Sequence, residues 1–249
     1  YTGIGRRNFD AWLNSGFANY TYNQNKKLHK FLTKNAFLNL GHPFQPFILG
    51  QKNLAPRLSV LLNIPLVVFG ESGAEYGNAI QENEKPTSDP KYYSAELGLK
   101  DLVLGGIPAN DLIKDFGFKL SDLEAYFPVS PYAVEKTGVE VHYLGYYVKW
   151  HPQEVYYYAV ENSDFMPNDH RTEGSYSKYS SLDDKIDWLH YHTTTIKFGI
   201  GRATYDSAQE IRNGDITRDE GIALVKRFDG EFPKQYIEDC CQYMGITLQ

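Results

Sequence analysis

Between Arg171 and Ile186 the chain sets Arg171, Glu173, Tyr176, Lys178, Tyr179, Asp183, Asp184 and Lys185 among serines and a threonine, with almost nothing to bury. Arginine offers paired N–H donors to phosphate or carboxylate, and lysine a point charge. Hydroxyls and carboxylates supply the remaining hydrogen bonds that a polar organic ligand needs. The same alternation returns in Lys197, Arg202, Asp206 and Glu210, where charged side chains stand among small residues. For any one of these residues, a solvated and salt-bridged surface is the competing reading. Tyrosine supports a polar ligand, because 20 of the 249 residues are tyrosine and each offers a flat ring with a hydroxyl at its end.

Self-contained catalytic signatures are absent. The sequence has no G-x-x-x-x-G-K-[ST], G-x-S-x-G, H-E-x-x-H or paired CxxC motif. Gly199-Ile200-Gly201 has no strand before it and no third glycine, so it reads as close packing or a helix turn rather than a dinucleotide loop. Two residues apart, His190 and His192 cannot share a helix face. His142 and His151 read as satisfied structural residues, and Tyr156-Tyr157-Tyr158 as packing rather than base stacking. Cys240 and Cys241 are adjacent, which suits neither an unstrained disulfide nor a structural zinc site, so they read as reduced helix residues. No metal site is expected from these cysteines and histidines.

These side chains must be carried by a globular scaffold, for which 42% hydrophobic residues suffice. A net charge of -6 argues against nucleic acid as a partner. The longest apolar run, 64–69, is far too short to span a bilayer, and no secretory signal opens the chain. A soluble, cytoplasmic protein without membrane insertion is expected. Apolar spacing predicts a helix over 26–40, closed by Gly41 and Pro43, and a second over 51–62 in which Pro56 begins the helix proper. Residues 64–69 read as a fully buried strand. The polar turn after it puts Glu71 and Glu75 where an open α/β sheet binds ligands. Residues 81–95 read as loop. Helical pieces follow at 109–116 and 121–127, the latter opened by a Ser121/Glu124 capping box, then a strand over 139–148. Beyond Pro152 the chain turns helical, with helices at 183–198, 204–212, 217–228 and 233–244 and a Thr217/Glu220 capping box.

Long polar motifs in a fixed order carry a resemblance. They are His42-Pro43-Phe44-Gln45-Pro46-Phe47-Ile48 with Gly50-Gln51-Lys52-Asn53, Gly70-Glu71 with Glu75-Tyr76-Gly77-Asn78, and Tyr143 to Trp150. Arg171 to Gly174, Tyr176 to Ser181, Asp183 to Asp187, Ile196 to Asp206, Gln209 to Gly214 and Phe228 to Pro233 continue it. Together they resemble the N-acetyl sugar amidotransferase family of the PP-loop ATP pyrophosphatase group over nearly the whole chain. The resemblance implies a Rossmann-like open parallel sheet, incomplete at the N-terminus, with a mainly helical C-terminal region. It implies a nucleotide-binding α/β part over 1–150 and a helical substrate- or partner-binding part over 151–249.

The implied reaction turns the acetamido group of a nucleotide-linked or nonulosonic sugar into an acetamidino group. It uses ATP and Mg2+, and ammonia from a separate glutaminase passed through a channel-forming subunit. By this resemblance Lys52, Glu71 and Glu75 contact the nucleotide or Mg2+, although a helix N-terminal carboxylate is the alternative for either glutamate. Arg171, Lys185, Lys197, Arg202 and Glu210 bind the substrate, and Glu173, Lys178 and Asp206 act on it. The family's Ser-Gly-Gly-x-Asp-Ser loop and its zinc-binding cysteine cluster have no counterpart here. Both are expected in a segment preceding Tyr1. A non-catalytic nucleotide-sugar or subunit-binding module is the other reading, and a ligase acting on a tRNA base a third.

Overall fold

A computed structural model describes residues 1–71 and 84–248, which separate into two compact units. Residues 23–40 and 44–149 form one. Residues 1–22, 41–43 and those from Trp150 onward form the other. The protein is mixed α/β and predominantly helical.

After α1 (Gly3–Leu13), which belongs to the second unit, the first unit carries the helices α2 (Lys26–Leu40) and α3 (Gln45–Leu62). Leu28, Leu32 and Ala36 follow one another at four-residue spacing and are fully buried, two of them against Leu104, Leu112, Leu123 and Tyr126. Each such leucine contributes about 1.5–3 kcal/mol by leaving water. Helix α3 starts six residues before the expected Gln51, because Pro46 occupies its first turn, where a missing N–H costs nothing. Pro56 lies inside it, not at its start.

Strand β1 (Leu66–Phe69) pairs in parallel with β4 (Glu140–Tyr143), Leu66 opposite Glu140 and Phe69 opposite Tyr143. The expected fully buried strand is corrected here. Val67 faces Val141 in the core, but Leu66 and Val68 are 56% and 49% exposed, because among the described residues the sheet has two strands and it is the Val67, Phe69 and Val141 face that packs into the core. Strand β4 is also shorter than expected, since Leu144–Tyr146 coils into a 3-10 turn. The 86–88 segment, inside the expected loop, lines β4: Ser88 N–H donates to Val141 O (2.7 Å) and Tyr143 N–H to Pro86 O (2.9 Å).

Between the paired strands lie the hairpin β2 (Val103–Leu104) and β3 (Ile107–Pro108), then α4 (Ala109–Lys114), α5 (Leu120–Leu123) and α6 (Pro131–Thr137). Gly105 and Gly106 turn the hairpin at φ 60° and 80°, and a Cβ on Gly105 would sit 2.9 Å from Leu32 O. The expected Ser121/Glu124 capping box is not formed. Asp122 instead accepts the Lys119 N–H (2.9 Å), so the helix starts earlier and Ser121 falls inside it.

The second unit contains α1 (Gly3–Leu13), α7 (Pro152–Asn162), α8 (Ile186–Phe198), α9 (Arg202–Asn213), α10 (Arg218–Phe228) and α11 (Ile237–Met244). Trp188, Leu189, Ala203, Phe228, Ile237, Cys240, Cys241 and Met244 are buried in it. Both cysteines are free thiols, and burial pushes Cys240 up to about 12. The Thr217/Glu220 capping box forms as expected. Helices α8 and α11 begin later than expected, at Ile186 and Ile237. Asp184 accepts the first N–H groups of α8, from Ile186 (2.6 Å) and Asp187 (3.0 Å). Helix α9 starts earlier, at Arg202, because Asp229 caps it from beyond α10, accepting the N–H groups of Gly201 (3.0 Å) and Thr204 (3.2 Å).

Candidate functional site

Four-residue spacing places Arg202, Asp206 and Glu210 along one face of α9. The polar segment from Arg171 to Ser181 lies against that face. Ala203 N–H donates to Gly174 O (3.0 Å), the Ser175 hydroxyl donates to Asp206, and the Tyr176 hydroxyl donates to Glu210 (2.7 Å). Gln153 of α7 also donates to Glu210 (2.8 Å), and Arg202 Nε stands 3.1 Å from Asp206. Glu210 is 4% exposed. A carboxylate taken so far from water needs such donors. Burial, then the hydrogen bond to Glu210, drives the Tyr176 phenol far above its usual range, so it stays a donor.

Arg171 spends its fork on Glu231, with both nitrogens within 2.8 Å, and lies 4.7 Å above the Phe228 ring. Glu231 also accepts the Gly174 N–H (2.8 Å). The Arg171 hydrogen bond holds the Glu231 carboxyl below its ordinary range. Glu173 accepts the Gln235 N–H (3.0 Å), and Lys185 pairs with Asp239 (2.8 Å). The candidates thus divide. Arg171, Glu173, Asp206 and Glu210 hold the polar segment onto α9 and the 229–236 turn. Lys178 and Lys197 are exposed, and Lys197 passes over the Phe198 ring.

Sequence reasoning missed a second cluster on α8. Asp187, His190 and Tyr191 stand at positions i, i+3 and i+4 of that helix. Arg202 donates to the Tyr191 hydroxyl (2.6 Å) and lies 4.7 Å over its ring. His190 Nδ1 is 3.5 Å from Asp187 Oδ1, an ion-pair separation rather than a short hydrogen bond. The His42 ring stacks on His190, with centroids 4.8 Å apart and planes at 17°. Burial, with His190 and Lys197 adding to it, lowers His42 to about 4, so it is neutral at pH 7. Spacing alone pairs Asp187 with His190, but nothing local brings the 41–43 turn onto α8. His192 points elsewhere, its Nδ1 lying 3.2 Å from Glu231 O.

Lys52 and Glu71 belong to the other unit, Lys52 exposed on α3 and Glu71 exposed just after β1. Glu75 lies outside the described residues. Among the described residues no group of three or more His, Cys, Asp or Glu side chains is arranged for a metal ion.

The fold is mixed α/β, and its helical unit carries a polar, carboxylate-rich cluster. Residues 173–249 of that unit match the family described as LPS biosynthesis protein WbpG-like, C-terminal domain. The match covers under a third of the chain, and the similarity is to a domain described by its place in lipopolysaccharide biosynthesis. No curated protein matches the chain. No helix among the described residues is long and apolar enough to cross a membrane.

Proposed function

We propose that this chain handles the sugar in an amidotransferase that converts an acetamido into an acetamidino group during surface-polysaccharide synthesis. The sugar is nucleotide-linked or a nonulosonic acid. Ammonia comes from a partner glutaminase through a channel-forming subunit, and ATP with Mg2+ drives the exchange. The observation that carries this reading is the place of the WbpG-like match. It begins at Glu173 and takes in the whole of α8 and α9, with Lys178, Asp187, His190, Lys197, Asp206 and Glu210. The parallel β1/β4 pair is compatible with a PP-loop sheet. Exposed Lys178 and Lys197 suit the diphosphate or carboxylate of the sugar as point charges.

Calorimetric titration of a UDP-diacetamido sugar into the protein tests the reading. Saturable binding, weakened by about 1–3 kcal/mol in Lys178→Ala as for a lost charge-assisted bond, is the expected result. Absence of binding in the unsubstituted protein overturns it. The second reading, a module that binds nucleotide-sugar or a subunit without catalysis, draws on the internal pairing of Arg171, Glu173, Asp206 and Glu210. Binding without conversion of the sugar in the presence of ammonium, Mg-ATP and the partner glutaminase selects it.

A further inference from the structure

We propose that Gln153 and Tyr156 of α7 are positioning residues: they clamp the tyrosines on either side of Lys178 and hold that lysine ready for an anionic group of the bound sugar, a diphosphate or a carboxylate. The identity of the ligand rests on the function proposed above; the clamp itself rests on geometry. Tyr176 and Tyr179 flank Lys178, and α7 reaches both. Gln153 donates to one oxygen of Glu210 (2.8 Å) and the Tyr176 hydroxyl donates to the other (2.7 Å), so one buried carboxylate ties the helix to the segment. The Tyr156 ring lies on the Tyr179 ring, with centroids 4.4 Å apart and planes at 15°. Phe165 meets Tyr156 edge-on, centroids 6.5 Å apart.

Helix α7 is itself fixed where it begins. The Trp150 indole N–H donates to Gln209 (3.2 Å), and Asn213 donates to Trp150 O (3.3 Å). His151 caps the helix, its Nδ1 accepting the Glu154 N–H (3.4 Å) while its Nε2 lies 3.3 Å from Asp215. The backbone around Lys178 is pinned as closely. Asn168 N–H donates to Lys178 O (2.9 Å), Thr172 N–H to Ser177 O (2.8 Å) and Tyr179 N–H to the Ser177 hydroxyl (3.2 Å). Ser177 and Ser180 are buried, yet Lys178 is exposed. Arg171 and Lys185 are taken up by Glu231 and Asp239, whereas Lys178 enters no ion pair among the described residues. A lysine carried on backbone that is already ordered loses less freedom when it grips a ligand than one on a loose loop. Gln153 and Tyr156 precede the matched 173–249 segment, so the family match gives them no role.

Two measurements on the complete protein test the clamp, and neither requires turnover. Amide hydrogen exchange reads it without ligand. The Asn168 and Thr172 amides, which donate to Lys178 and Ser177, should exchange about tenfold faster in Tyr156→Ala, with the α10 amides unchanged and Tyr156→Phe like the parent. Unchanged exchange at both amides overturns the clamp; Gln153→Met, which removes the donor at similar volume, gives the same test should Tyr156→Ala fail to fold. Calorimetric titration of a UDP-diacetamido sugar reads what the clamp is for. Tyr156→Ala should weaken binding about fivefold where Lys178 is present and leave it unchanged in a Lys178→Ala background, as for two residues acting through one contact. Equal losses in the two backgrounds overturn the positioning role, because a merely structural clamp acts alike with or without the lysine. No sugar binding by the unsubstituted protein, with the exchange result intact, leaves the clamp standing and removes the sugar reading.

Discussion

At the scale of single residues, the polar segment shows how much chemistry a chain spends on holding itself. Arg171 has the donor geometry of a phosphate ligand, yet its fork, its ring contact and its neighbour Gly174 all converge on Glu231 and Phe228. Arg171→Ala should therefore cost stability, roughly 1–3 kcal/mol in chemical denaturation, by leaving a partly buried carboxylate without its partner. A variant as stable as the parent would assign the arginine to ligand rather than to fold. Asp184 carries a sharper test. Burial first, then the charges of Asp187 and Asp183, raise its carboxyl from 3.8 to about 7 in spite of the two helix N–H groups it accepts. A raised acid binds its proton more tightly when folded, so its contribution is fully present below pH 3.8 and is lost as pH rises to about 7. Asp184→Asn keeps an acceptor oxygen and removes the titration. Relative to the parent, its stability should rise between pH 4 and 8, by on the order of 1–3 kcal/mol. A difference that does not change with pH would show that Asp184 titrates normally.

At the scale of elements, capping and close approach decide what periodicity leaves open. The Thr217/Glu220 box was legible because both partners are local. Ser121/Glu124 had the same pattern and lost to Asp122, which reaches the Lys119 N–H first. Helix α9 owes its first turn to Asp229, more than twenty residues away in sequence, and no reading of Arg202 to Asn213 alone reveals that cap. Helix α1 was not anticipated at all. Its start is held by distant backbone, with the Thr2 hydroxyl donating to Leu182 O and the Thr2 N–H to Asp183 O (3.1 Å). Gly5 makes that approach possible, since a Cβ there would lie 2.4 Å from Asp183 Cα and O. Exchanging a helix glycine for alanine ordinarily gains up to about 1 kcal/mol. Gly5→Ala should instead destabilise, by roughly 1–3 kcal/mol, because backbone cannot rotate away. A raised melting temperature would mean that α1 is not seated on the 182–183 turn.

At the scale of the molecule, much of the helical order was legible and much of the site was not. The helices over 26–40 and 218–228 follow from apolar spacing and caps, and the α9 face from four-residue charge spacing. The Asp187, His190 and His42 cluster was hidden because one of its members arrives from the 41–43 turn, far off in sequence. Strand β1 was read as buried on its apolar composition, which cannot report that Val67 packs into the core while Leu66 and Val68 stay exposed. The α7 tyrosines were read as packing. Tyr156 does stack on Tyr179 at 4.4 Å, but Tyr157 and Tyr158 are 59% and 69% exposed. The central claim is that the helical unit holds an acetamido sugar. Its most direct test is amide and histidine chemical-shift mapping of the protein with a UDP-diacetamido sugar. Saturable shifts should gather at Tyr176 to Tyr179 and at His190 to Arg202. Shifts confined to residues 44–149, or none at all, would contradict it.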